Sequence, residues 1–264
     1  MVTASGLHNI MMAAARKAAR ALNRDFGEVE NLQVSKKGPA DFVTAADRRA
    51  EEVIVEELSI SRPGYGFLLE EGGEIKGSDP SHRFIVDPLD GTTNFLHSIP
   101  HFCISIALER QGELVAGVIY DPVRDEMFRA EKGKGAFVND RRLRVSARTD
   151  LQSCLLSTGI PFKGKPGHAQ FLRELHRVSQ NVAGVRRFGS AALDLAWLAA
   201  GRYDGFWERN LQIWDIAAGI VLVREAGGLV TNMDGGKKID ASSILATTPG
   251  IYDEVKATLD KAAS

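Results

Sequence analysis

The sequence predicts a mixed α/β protein, with an antiparallel, strand-rich first half and a second half in which strands alternate with helices. Three observations lead to that class. Between Phe102 and Val145, short apolar runs follow one another across turns such as Gln111-Gly112-Glu113 and Glu131-Lys132-Gly133-Lys134-Gly135. From Cys154 onward, such runs are separated by stretches with helical spacing. Several strand candidates also end in carboxylates: Tyr65–Leu69 at Glu70-Glu71, Phe84–Val86 at Asp87, and Asp204–Trp207 at Glu208.

In chain order, Leu7, Ile10, Met11, Ala14, Ala18 and Leu22 recur at helical spacing and predict an opening amphipathic helix. Ser35 to Asp41 reads as an exposed hairpin or loop. A second helix starts at Thr44-Ala45-Ala46-Asp47, with Ala50, Val53, Ile54 and Leu58 behind it. There the Thr44/Asp47 spacing is that of a capping box, so spacing alone makes Asp47 a cap residue, with a catalytic role as the alternative. Strands are predicted at Phe102–Leu108, Leu114–Tyr120, Glu126–Ala130, Ala136–Val138 and Leu143–Val145. The Gly/Lys stretch 131–135 lacks the Gly-Lys-Ser/Thr ending of a phosphate loop and reads as a hairpin turn.

Beyond the loop at 163–167, a helix passes through Phe171, Leu172, Leu175 and Val178, and Val185–Phe188 is a strand. Gly189-Ser190-Ala191-Ala192 then opens an Ala/Leu-rich helix. Small residues at such an entry suit either a ligand near the free N–H groups or close packing. Trp214-Asp215-Ile216-Ala217-Ala218-Gly219 begins a helix that is apolar on most sides. A carboxylate at its buried start needs a partner, and a cation would serve. Two strands, Gly227–Thr231 and Ser243–Thr247, and a helix from Pro249 complete the second half.

The 264 residues, 44% hydrophobic and 25% charged, suffice for a sizeable core without any linker that forces a cut. A single domain over 1–264 is expected, divided into halves at about 150. A formal net charge of −1 argues against a nucleic-acid surface spread over the whole molecule. Cys103 and Cys154 lie far apart without metal-ligand spacing, as expected of buried thiols in a reducing compartment. The longest apolar run, Ile216 to Val223, is too short for a membrane span, and no targeting signal is evident; a cytoplasmic protein is expected.

The octet Asp87-Pro88-Leu89-Asp90-Gly91-Thr92-Thr93-Asn94 concentrates the chemistry. Pro88 restricts its own backbone and that of Asp87, so two carboxylates leave a stiff turn in set directions. Gly91 permits close backbone approach, and the hydroxyls and amide add donors. Glu70, Asp87, Asp90 and Asp215 together are enough oxygen donors for a two-metal centre, and without nearby His or Cys they suit Mg2+ better than zinc.

The octet resembles the first signature of the inositol monophosphatase family, and Trp214–Gly219 resembles the second. Asp41–Asp47, Glu70-Glu71, Gly189–Ala192 and Glu208 fit in order and spacing. The resemblance implies Mg2+-dependent, Li+-sensitive phosphomonoester hydrolysis on a layered αβαβα sandwich shared with fructose-bisphosphatases, usually as a homodimer. It implies a first ion on Glu70, Asp87 and the main-chain oxygen of Leu89, a second on Asp87, Asp90 and Asp215, and a weaker third near Glu70. It assigns Asp47, Glu70 and Thr92 to activation of water, which reverses the capping reading of Asp47. Leu89, Asp90, Gly91, Thr92, Gly189, Ser190, Ala191, Glu208 and Asp215 face the substrate, and Lys36 adds charge near the third ion. The expected substrate is myo-inositol 1-phosphate. Histidinol phosphate, fructose bisphosphate and a 3'-phosphonucleotide are alternatives, as is a regulatory role contacting RNA or protein. Leu69, where relatives often carry a small residue, bears on loop shape only.

Overall fold

The computed structural model describes residues 4–26, 34–38, 41–236 and 239–263, with 34–38, 41–44 and 263 described in their backbone alone. Helix α1 (Gly6–Asp25) begins where the Ser5 hydroxyl accepts from His8 N at 3.2 Å, and it buries Met11, Ala14, Ala18 and Leu22 on one face. A short antiparallel hairpin, β1 (Val34–Gly38) and β2 (Asp41–Thr44), leads into α2 (Ala45–Ser61). The capping pair predicted at Thr44 and the charge assigned to Lys36 concern side chains outside the described residues.

Eight strands then form one sheet: β3 (Tyr65–Leu69), β4 (Gly73–Ile75), β5 (Asp79–Asp90), β6 (Cys103–Arg110), β7 (Glu113–Asp121), β8 (Glu126–Glu131), β9 (Gly135–Val138) and β10 (Arg141–Arg142), in the order β10-β9-β8-β7-β6-β5-β3-β4. The pairing is antiparallel throughout except for β3 with β5, which run parallel. Gln111 and Gly112 both take positive φ, 53° and 78°, as a two-residue hairpin turn between β6 and β7 requires. The last strand is Arg141–Arg142 rather than the predicted Leu143–Val145. Leu143 is buried beyond it, its N–H donating to Ala136 O.

The second sheet takes β11 (Leu155–Thr158), β12 (Gly184–Arg186), β13 (Gly205–Arg209), β14 (Leu229–Thr231) and β15 (Ser243–Thr247) in the order β12-β11-β13-β15-β14. Strand β12 thus starts one residue before, and ends two before, the predicted Val185–Phe188. After the short helix α3 (Thr92–Leu96) come α4 (His168–Ser179), α5 (Ala191–Ala199), α6 (Ile213–Glu225) and α7 (Tyr252–Ala263).

Alternation along the strands sorts side chains into separate cores. Phe84, Val86, Ile104 and Ile106 meet α1 and α2, whereas Ile85, Ala107, Ile119 and Phe128 join a core with α5 and α6. In the smaller sheet Phe206, Ile244 and Ala246 face that same core, while Trp207 and Leu245 face one with Val178 of α4 and Val255 of α7. The layers are therefore α1/α2, large sheet, α5/α6, small sheet and α4/α7, an αβαβα sandwich. Each buried Phe, Ile or Leu contributes roughly 1.5–3 kcal/mol. A one-residue slip of β5 would exchange its two faces and lose several such terms, so its register is tightly held.

The small residues of α6 have a packing cause. A Cβ at Gly117 would lie 2.6 Å from Ala218 O, and one at Gly219 would lie 2.5 Å from the Leu195 side chain. Helix α6 is thus squeezed between the large sheet and α5, which brings its first turn to the end of the sheet.

Candidate active site

The parallel pairing of β3 and β5 sets Glu70 beside Asp87, with Glu70 N donating to Val86 O at 3.2 Å. Glu51 of α2 supports the turn that follows, because its Oε2 accepts from Glu71 N at 2.9 Å. Gly72 sits against Leu69 and the Glu51 carboxylate; a Cβ there would lie about 3 Å from both. Leu69 is buried in the core, so it shapes this turn without entering the cleft.

The octet is not the turn that its composition suggests. Strand β5 continues through it to Asp90, and between Asp87 and Asp90 it carries one residue more than β6, whose Ser105 and Cys103 are their partners. This β-bulge bends the strand and re-aims its side chains, a device common beside active sites. Asp87 is buried, and its Oδ1 accepts from Leu89 N at 2.9 Å. Gly91, at φ 98°, then turns the chain into α3, a helix that the sequence reading does not anticipate. A Cβ at Gly91 would press on Phe102 and His101 O.

The Thr92 hydroxyl lies 3.1 Å from Leu89 O and 3.3 Å from Asp47 Oδ1. Its single proton can go to either acceptor, which links the fully buried Asp47 of α2 to the octet. Asn94 serves structure instead of the cleft. It is buried and donates from Nδ2 to His101 O and Phe188 O, both at 2.8 Å, tying α3 to the segment before α5.

Asp90 Oδ2 meets the start of α5, accepting from Ser190 Oγ at 2.6 Å and Ala192 N at 2.7 Å. Asp215 is the third residue of α6, where Gln212 N donates to its Oδ2 at 2.7 Å in a capping box. Three of the four proposed acidic ligands thus have one oxygen fixed by a main-chain N–H, and that sets the direction of the other.

A cleft of about 470 Å³ brings the predicted residues together: Glu70, Asp90, Gly91, Thr92, Gly189, Ser190, Ala191, Glu208 and Asp215 all line it. Asp87, Leu89 and Asp47 are buried behind its wall. The same cleft is lined by residues that sequence reasoning missed, among them Gly159, Lys165, Arg187 and Asp194. A Cβ at Gly159 would overlap the Glu208 carboxylate, so that glycine makes room for it. The Gly/Pro-rich loop around Lys165 and the basic pair before the Gly-Ser-Ala-Ala entry were the only available signals.

The electrostatics follow from this crowding. Burial raises the Asp87 carboxyl well above its ordinary value, and Glu70, Asp90 and Asp215 raise it further. Burial likewise lifts Asp90 to about 6, against the hydrogen bonds from Ser190 and Ala192, and pushes Asp215 well up with help from Asp90. Glu208 rises to about 8 through burial and then Asp194, partly offset by Lys165 and Arg187. Asp194 is also pushed to about 8 by burial, against the hydrogen bond donated at 2.7 Å by Tyr203.

Among the described residues, no three His, Cys, Asp or Glu side chains already close around one point at ligand spacing. The four carboxylates form an electrostatic cluster of hard oxygen donors whose mutual repulsion a dication would reverse. That donor chemistry fits Mg2+.

A five-layer sandwich with clustered carboxylates at the ends of parallel strands, next to a glycine-led helix, defines an enzyme of the phosphatase class. The chain belongs to the inositol monophosphatase family, whose model matches residues 4–263. An inositol-1-monophosphatase of Caulobacter vibrioides is 59% identical over 93% of this chain and 97% of its own. The Nus factor SuhB of Escherichia coli K12 is 44% identical over 95% of this chain and 94% of its own. The crystal structure of the extragenic suppressor protein suhB from Bartonella henselae superposes with a TM-score of 0.95 at 60% identity, covering 97% of this chain and 99% of that one. The family, the fold and a phosphatase activity are thereby established. Among the described residues no helix is long and apolar enough to cross a membrane, and both cysteines are buried and free.

Proposed function

We propose that the protein hydrolyses myo-inositol 1-phosphate to inositol and phosphate with Mg2+, as a cytoplasmic homodimer. The observation that carries this reading is the gathering of Glu70, Asp90 and Asp215 on one wall of the cleft, with Asp87 directly behind it and the Asp47–Thr92 pair alongside. The names of its closely similar relatives support the substrate. Glu70, Asp87 and Leu89 O would hold one ion, Asp87, Asp90 and Asp215 a second, and the surroundings of Glu70 a weaker third. When bound, Mg2+ supplies Lewis-acid chemistry, neutralising phosphate charge and acidifying water.

The protein's own groups do the rest. Thr92 can accept a hydrogen bond from the attacking water and orient it with Glu70, and as Thr92 takes the water's proton its own hydroxyl proton passes to Asp47. Gly91 and Thr92 stand at the start of α3, where N–H groups lack helical partners and suit phosphate oxygens. Gly189, Ala191 and Glu208 face the alcohol. Near neutral pH, Glu208, with its carboxyl at about 8, is largely protonated and can donate to a substrate hydroxyl.

One observation favours a second substrate class. Lys165 and Arg187 line the alcohol side, so a second anionic group, as in a sugar bisphosphate or a phosphonucleotide, would find charge complementarity there. Among the described residues no comparable feature favours a regulatory RNA- or protein-binding role, although the relative from E. coli carries the name Nus factor.

Phosphate release from a panel of these esters, with and without Mg2+ and with millimolar LiCl, tests the proposal. Mg2+-dependent, Li+-inhibited turnover with inositol 1-phosphate as the best substrate is expected. Turnover of every ester independent of Mg2+ would refute it.

A further inference from the structure

The motif resemblance assigns Ser190 to the substrate, but its hydroxyl is directed elsewhere. Ser190 is only 1% exposed and is the N-cap of α5, with extended backbone at φ −145° and ψ 103°. Its one proton goes to Asp90 Oδ2 at 2.6 Å, while its lone pairs face Leu193 N at 3.4 Å. The buried Cys103 thiol lies 3.6 Å from the same hydroxyl and 3.9 Å from Asp90 Oδ2. With its donor committed and its acceptor side turned into the helix, the hydroxyl has no hydrogen to offer a bound alcohol.

From the standpoint of Asp90, the same contacts form a clamp. Oδ2 receives the Ser190 O–H, the Ala192 N–H and, more distantly, the Cys103 S–H. That oxygen is saturated, the Ala191 N–H bonds the same carboxylate as well, and Oδ1 is the oxygen left for a cation.

We propose that Ser190 is a positioning residue. It locks Asp90 so that a single oxygen is presented to a divalent cation, and it couples the start of α5, which carries the alcohol-facing Ala191, to the metal wall. The proposal rests on the Mg2+ reading above. It adds that the serine of the Gly-Ser-Ala-Ala entry acts on cation affinity and not on substrate affinity. Hydrogen-bond partners of metal ligands typically change metal affinity by about 10–100-fold.

The test uses Mg2+ alone as the probe, titrated calorimetrically into wild type, Ser190→Ala, Ser190→Gly and Ser190→Thr, followed by kinetics at saturating Mg2+. Glycine is tolerated at helix N-caps but has no hydroxyl, so Ser190→Gly separates the clamp from helix capping. Ser190→Gly and Ser190→Ala should bind Mg2+ about 10–100-fold more weakly. Ser190→Thr, which retains the hydroxyl, should restore most of that affinity. KM for inositol 1-phosphate at saturating Mg2+ should stay within about twofold in all of them, since the hydroxyl gives its proton to Asp90 and not to the alcohol. Unchanged Mg2+ affinity in Ser190→Gly, or a raised KM with unchanged Mg2+ affinity, overturns this proposal while leaving the catalytic reading standing. Absence of Mg2+ binding by the wild type would overturn both.

Discussion

The two walls of the cleft are built differently. On the carboxylate wall, Asp87, Asp90 and Asp215 each have an oxygen held by a main-chain N–H, and they sit on a β-bulge or in the first turn of a helix packed between layers. On the alcohol side, Lys165 and Arg187 reach in from the segments outside the helices and strands, and the Lys165 ammonium donates to Asn210 O at 3.0 Å and lies over the Phe162 ring. The first wall is as rigid as the core behind it. The second can change without disturbing any layer. Reaction chemistry thus belongs to the scaffold and substrate choice to the loops, a division typical of sites carried on rigid elements.

The largest expected effect breaks the first wall. Asp87→Asn removes the charge nearest the centre of the cluster and should lower Mg2+-dependent turnover by roughly three orders of magnitude, within the range seen when electrostatic stabilisation is lost. Far-UV circular dichroism should be unchanged, because an amide oxygen can still accept from Leu89 N.

Changes on the second wall should be milder and selective. Replacing Lys165 and Arg187 by Met should cut kcat/KM for a bisphosphate about 10-fold, the scale of two partly exposed charge contacts, and change it little for inositol 1-phosphate. Equal losses for both substrates would make these residues part of the general machinery.

Next comes the packing that joins the two halves. Gly117→Ala would force a Cβ toward Ala218 O and should cost about 1–3 kcal/mol in urea denaturation. All three tryptophans, Trp197, Trp207 and Trp214, lie in the second half, so their fluorescence reports that half while circular dichroism reports the whole. We propose that the chain unfolds as one unit. The two signals should then shift together, and separate transitions would divide the domain.

A further effect concerns pH. The carboxyl of Asp194, at about 8 in the folded protein, lies far above its unfolded value, so the folded state binds more protons between roughly pH 4 and pH 8. Its contribution to stability is full below that window and is lost as pH rises through it. In metal-free buffer the urea midpoint should fall between pH 5 and pH 8, and Asp194→Asn should reduce that fall.

Much of this was legible in the residues. The turn-bounded apolar runs of β6, β7 and β8 and the helical spacing in α1 specified many elements, and four acidic positions predicted one site. What escaped had physical causes. The bulge at Asp87–Asp90 depends on its pairing with β6, which the octet's composition cannot reveal. Helix α3 is only five residues long and shows no period. Asn94 looks like a site donor until its carbonyl partners are known, and Ser190 looks like a substrate contact until Asp90 is seen to take its proton. Lys165 and Arg187 come from sequence without periodicity and gain meaning only through the fold.

If the carboxylate wall is a divalent-cation site, its ions can be counted. Counting bound Mn2+ by electron paramagnetic resonance in the wild type and in Asp87→Asn tests that most directly. At least two ions per chain in the wild type, with loss of one or more in the variant, is the predicted result. A wild type that binds no Mn2+ at millimolar concentration, or a variant that binds it equally well, would contradict the account.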